Sequence, residues 1–477
     1  MQAQLEITTL HMIIMLTTVA AVIGGGIYAA GSVKSAEGYS LGGRSAGVPM
    51  VAGSIAGTII GGGATVGTAQ LAYSAGLSAW WFTLGSGLTF IIMGLFYAGP
   101  LRKTGLETIP QYLVLHYGKK AGSIASVVSS LGIFFSAVAS CLPGIALISA
   151  VFAISPGESA CLLVTLVACY VFFGGMKSAG VSGILKMTVI LFSLFLAGGA
   201  AFWSLYTDPS IFASLPFSPW FDPLGNGGAN ALEKFLSLLV GIICTPVSYT
   251  HLTLPTQTYI QAIFSASDPK TAAYGAFAAA LVAIPVGLPC SMIGVYMHAL
   301  HPGVSPILVL PLYLLQHQPV WLGSVAMGGI FLSLIGSIGG LSLGIGTMVS
   351  KDILSPWLKI KSNRGLLRLN RLVVLGVMFC ACGFALLHQD SQILFWNYLS
   401  MALRGGGIFL PLSLAIFCPG RVGARRAVLS MLLSTGVALA ATFAGISIKP
   451  LFLGLAVSAV VLLPGLLRKY SYEVEKG

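Results

Sequence analysis

Long apolar runs that follow one another with little charge between them fix what this chain can fold into. A run of about 20 apolar residues is the length that crosses a bilayer as a helix. Backbone polar groups in hydrocarbon must bond within the protein, which leaves helices or closed barrels. The runs here are continuous and show no two-residue alternation, so helices are predicted. Spans read near 9–31, 47–73, 78–100, 124–154, 158–174, 183–206, 231–262, 273–298, 322–349, 368–388, 391–417, 425–446 and 449–467. Only 8% of the residues are charged and 56% are hydrophobic. A soluble domain carries about 25% charged residues. The predicted class is an all-α integral membrane protein with about thirteen transmembrane helices, its partner the lipid bilayer. The first run is too long for a signal peptide and lacks a basic leader and a cleavage site, so it reads as a retained helix.

Charge placement gives an orientation. A formal net charge of +12 can point to nucleic acid. Here the basic residues sit in short loops, and no nucleic-acid partner is expected. Threading thirteen spans places 21 of the 24 Lys and Arg on one side, Lys177 and Lys186 among them. Lys234 and Lys449 fall on the other side, and Arg404 lies within a span. The basic-rich side reads as cytoplasmic, with the N-terminus outside and the C-terminus inside the cell membrane. The eight cysteines show no CxxC spacing and read as small buried hydrophobes.

Two spans are irregular. The second reads VPMVAGSIAGTIIGGGATVGTAQLAYSAG, with Gly61 to Gly63 at mid-membrane depth. Each Gly costs a helix roughly 1 kcal/mol relative to Ala, so three together invite unwinding. Unwound backbone at that depth lines a cavity or aims free carbonyls at a cation, and a close helix crossing is the competing reading. The seventh, 231–262, is overlong and polar in its middle. Two readings stand for it: a second broken helix, or an insertion at VSYTHLTLPT (247–256), which looks like translated sequencing-library adapter. No functional residue is assigned there. The segment 101–123 predicts an interfacial helix opened by Pro110, and 207–230 reads as an external loop.

None of the twelve acids falls deep in a predicted span. Proton-coupled carriers usually keep an intramembrane carboxylate or His, and general acid–base catalysis needs one in position. An enzyme is therefore not expected, and no catalytic residue is assigned. Arg404 sits mid-span in NYLSMALRGGGIFLPL, followed by Gly405 to Gly407, which can open the helix. A buried charge at that depth costs at least ~2.5–3.5 kcal/mol and is a functional-site candidate by default. Either it binds a substrate carboxylate, or it is a structural Arg bonded to freed carbonyls or snorkelling to the interface.

Several segments, in order, resemble the sodium:solute symporter family. They are KSAEGYSLGGRSAG (34–47), IGGGATVGTAQLAYSAGL (60–77), PLRKTGLETIPQYL (100–113), FFGGMKSAG (172–180), QTYIQAIFSASDPKTA (257–272) and TMVSKDIL (347–354). The resemblance implies a single transport domain over 1–477. Residues 1–46 would form an extra helix and loop. Two inverted five-helix repeats would span 47–206 and 231–417, helices 2–6 and 7–11, around the 207–230 loop. Residues 418–477 would add two helices and a tail. It also implies a discontinuous first core helix. The family's sodium site maps to the carbonyls of Gly57, Ile60 and Ser333 and the side-chain positions Gly336 and Ser337. Oxygen ligands suit a hard cation such as sodium. Family members usually carry a hydroxyl at both of those last positions; Gly336 departs from that pattern. Sugar-carrying relatives place an amide and a carboxylate where Ala64 and Thr83 stand here, so a sugar is not the expected substrate. Thr65, Gln70, Thr83, Ser86 and Arg404 are the candidate substrate contacts. The implied activity is secondary active symport of a small organic solute with sodium, the coupling ion, and no other cofactor. The alternative on the same fold is a sodium-independent carrier or a solute sensor.

Overall fold

The computed structural model describes residues 7–30, 35–172, 175–222, 254–360, 362–444 and 450–467. Every regular element among them is helical. The helices that position the site are α1 (Thr9–Ala30), α2 (Val48–Ile59), α3 (Thr68–Ala75), α4 (Ile109–Phe152), α5 (Gly175–Thr207), α6 (Pro269–Leu300), α7 (Val320–Met348) and α8 (Ile393–Arg404). Among the described residues nine helices are long and apolar enough to cross a membrane, and shorter apolar helices accompany them. The expected seventh span lies outside the described residues except at its end, where Gln257–Ser265 is helical. Residues 247–253 of the adapter-like stretch also lie outside them.

The central helix is α7, buried from Leu322 to Met348 at every residue but Val325. It is rich in Gly and Ser, and small residues let neighbouring helices come close in a bilayer. α1, α2, α4 and α5 pack against it. α2 crosses α5 at glycines on both helices. A Cβ at Gly183 would collide with the Gly53 carbonyl oxygen, and one at Gly57 would lie 3.0 Å from the Gly183 Cα. Only glycine permits that approach.

The expected break in the second span is present. α2 starts at a Pro near its first turn and ends at Ile60, whose ψ of 78° leaves the helical region. Helix resumes from Gly63 and continues as α3. The segment expected to lie at the interface is helical from Ile109 and bends at Gly118, where φ is 78°. Pro209–Ser214 and Phe217–Trp220 form two short helices in the expected external loop.

One end of the bundle is tied by side chains from separate segments. Lys351 pairs with Glu107, whose carboxylate also accepts from the Ser40 hydroxyl at 2.9 Å. Asp352 accepts from Thr108 at 2.9 Å, Gln111 at 3.1 Å and Ser126 at 3.2 Å. Gln261 donates to the Ser40 carbonyl at 2.6 Å.

Candidate functional site

A helix break frees carbonyls, and each must find a donor or face a desolvation cost. At the end of α2 the allocation is visible. The Ala56 carbonyl still accepts from the Ile60 amide, and the Ile59 carbonyl takes the Gly61 amide. The Thr58 carbonyl accepts from the Ser337 hydroxyl at 2.6 Å, and the Ile60 carbonyl accepts from the Ser333 hydroxyl at 2.6 Å. Both serines thus bond across to α2 rather than back along α7, which joins the two helices at the expected ion position.

The remaining donor is Lys186. Its Nζ donates to the Gly57 carbonyl and lies 3.4 Å from the Ile60 oxygen and 3.3 Å from the Ser333 oxygen. These are the three backbone oxygens assigned to sodium by the family resemblance. Lys186 is fully buried. Lysine is almost never so buried unless paired, and among the described residues no carboxylate pairs with it. Its charge instead meets carbonyls at the C-terminal end of α2, the negative end of a helix dipole.

Lys186 corrects two expectations. The charge partition places it among loop residues and leaves Arg404 as the sole basic residue within a span. Both are overturned, because Lys186 lies well inside α5 on the stripe with Gly180 and Gly183 that crosses α2. The Gly180 and Gly183 spacing was the available signal: it marks the face that packs, and Lys186 continues it one turn on.

Beside the cradle lies a small cavity. Thr58, Phe82, Ser136, Tyr259, Asn397 and Arg404 are among its lining residues, with Ser140 and Ser337 joining it to the cradle. Arg404 is buried at the end of α8, where the helix widens through Gly405–Phe409. Its Nε donates to the Ser400 carbonyl at 3.2 Å, and its Nη2 donates to the hydroxyls of Ser400 at 2.8 Å and Ser136 at 3.3 Å. Its Nη1 donates to the Thr256 hydroxyl. All four partners are neutral.

The sodium-site candidates Gly57, Ile60, Ser333 and Ser337 are brought together, with Gly336 on the turn between the two serines. The polar candidates are elsewhere engaged. Thr65 donates to the Gly61 carbonyl at 2.9 Å and Ser86 to the Phe82 carbonyl at 2.7 Å. Thr83 lies 3.3 Å from the Trp80 carbonyl and 3.4 Å from that of Ile284. Gln70 accepts from the Ile393 amide at 3.1 Å. None of the four is among the described residues lining the cavity. Asn397, Tyr259, Phe82 and Ser136 line it instead, and sequence reasoning missed them. No group of three metal-binding side chains occurs among the described residues.

The sodium:solute symporter family model matches residues 39–434. The chain belongs to the sodium:solute symporter family. It is similar to the high-affinity choline transporter 1 of Torpedo marmorata, 25% identical over 410 residues that cover 82% of this chain and 68% of that one. The human high affinity choline transporter 1 is 24% identical over 358 residues, 69% of this chain and 59% of that protein. The chain thus spans less than two thirds of the human relative's length. A solved Na+-coupled sialic acid symporter, substrate-bound and outward-open, superposes with a TM-score of 0.78 at 17% identity, covering 98% of this chain and 99% of that one. Mhp1, a nucleobase-cation-symport-1 family transporter, gives 0.55 at 11% identity over 90% and 93%. At these identities the structures show the fold alone. This symporter-family chain is a multi-pass membrane transporter and not an enzyme. The family supports sodium-coupled solute transport as its general activity.

Proposed function

We propose that this chain carries a small organic solute bearing an anionic group, a carboxylate being the simplest, across the cell membrane by alternating access. The observation that carries the reading is Arg404, a buried guanidinium on the cavity wall whose partners are hydroxyls and a carbonyl. Arginine presents a planar fork that matches a carboxylate in two parallel bonds. The Ser136 and Ser400 hydroxyls can rotate to release part of that fork to a solute. The choline transporters it resembles point instead to choline, a quaternary ammonium ion. A fixed cation with no carboxylate among the described lining residues repels such a solute.

In this reading the chain is one transport domain, with the repeats 47–206 and 231–417 moving against each other. The N-terminus lies outside, and the latch around Glu107 and Asp352 closes the cytoplasmic side. The break in α2 and the widened turn after Arg404 are the points of backbone give. Small carboxylates and choline offered to proteoliposomes provide the test. The reading expects uptake of a carboxylate that falls at least tenfold in Arg404→Gln. Undiminished uptake of an anionic solute by that variant, or choline as the transported solute, would overturn it.

A further inference from the structure

The oxygens that the family resemblance assigns to sodium do not fit that ion while Lys186 stands among them. Three N–H bonds face three carbonyl oxygens: those of Gly57, Ile60 and Ser333. We propose that the Lys186 ammonium group is the resident cation of this carrier, tethered in the oxygen cradle that the family resemblance assigns to sodium, so that no sodium ion binds there.

Four observations converge on this. The cradle is a cation site by construction, since it gathers carbonyls released by the end of α2 at the negative pole of that helix. Two cations cannot share it, because no carboxylate among the described residues lies there to offset a second positive charge. The lysine stem has a built path: a Cβ at Gly57 would stand 3.6 Å from the Lys186 Cε, beside a crossing that only glycines allow. Gly336 offers no side-chain oxygen where a sodium site of this family usually has one, which an ammonium ion with three donors does not require.

A tethered charge gives the structural effect of the ion without its release. It holds α2, α5 and α7 together at the break, as a bound sodium would hold α2 and α7. The sodium gradient then has no ion to move through this site, and uptake follows other driving forces. This consequence rests on the carrier reading above; the occupancy of the cradle does not.

The test uses the purified full-length chain in detergent. Its thermal unfolding midpoint is followed as sodium chloride replaces N-methylglucamine chloride at constant ionic strength. The wild-type midpoint is expected to stay flat. Lys186→Ala, which empties the cradle, is expected to unfold earlier and to recover saturably with sodium. A saturable upward shift in the wild type overturns the proposal, and that arm needs no variant. A folded Lys186→Ala protein that stays flat overturns it too, because the cradle then takes no sodium. Failure of the carrier reading shows up separately, as absence of solute uptake by reconstituted wild type with or without sodium.

Discussion

Two cations lie buried near the break in α2, and among the described residues neither pairs with a carboxylate. Lys186 is held by backbone carbonyls at a helix end, with every freed oxygen around it allocated. Arg404 is held mostly by hydroxyls, groups that can turn and accept other partners, and it borders a cavity. Fixed carbonyls suit a charge that stays. Rotatable hydroxyls beside a cavity suit a charge that meets a ligand. The same burial therefore supports a structural role at one position and a recognition role at the other.

The comparison breaks first under charge reversal. Lys186→Glu sets a carboxylate against three carbonyls, and disrupting a buried charge arrangement costs ~3–5 kcal/mol. The expected outcome is a large drop in the unfolding midpoint in detergent, with sodium unable to restore it as fully as in Lys186→Ala. Arg404→Ala is expected to show the opposite profile. Transport of an anionic solute should fall about 100-fold, about 2.7 kcal/mol, while the midpoint's insensitivity to sodium is kept. Parallel losses of uptake and fold in both variants would erase the distinction between the two sites.

Smaller changes sharpen it. Gly183→Ala puts a methyl group against the Gly53 carbonyl and should cost ~1–3 kcal/mol by forcing α2 and α5 apart. Because Lys186 follows one turn later, this variant should also gain a sodium response; a flat titration with lowered stability would show that the crossing does not set the lysine's position. Ser333→Ala removes one hydroxyl from the Ile60 carbonyl and should cost about 1 kcal/mol, since that oxygen keeps Lys186. Its effect on uptake should be smaller than that of Ser136→Ala, which strips a partner from Arg404.

How much of this was legible in the sequence follows the physics of each signal. The break at Gly61–Gly63 was legible because three glycines at mid-membrane depth have few other uses. The widened turn after Arg404 was legible for the same reason. The cradle itself followed from spacing within resembling segments. Lys186 was hidden because it stands near a predicted span edge, where lysines usually snorkel to water. Its neighbours Gly180 and Gly183 carried the correction, but only a helix start earlier than residue 183 brings them onto one face. Thr65 and Ser86 were candidates by depth and polarity alone, and the sequence does not show that their hydroxyls bond back to their own helices. Asn397 and Tyr259 reach the cavity from distant parts of the chain, which no local pattern announces.

The occupancy of the cradle is read most directly by equilibrium binding of radiolabelled sodium to the purified protein, wild type beside Lys186→Ala. Lys186 as resident cation predicts no saturable binding by the wild type and stoichiometric binding by the variant. Saturable, stoichiometric binding by the wild type would contradict it.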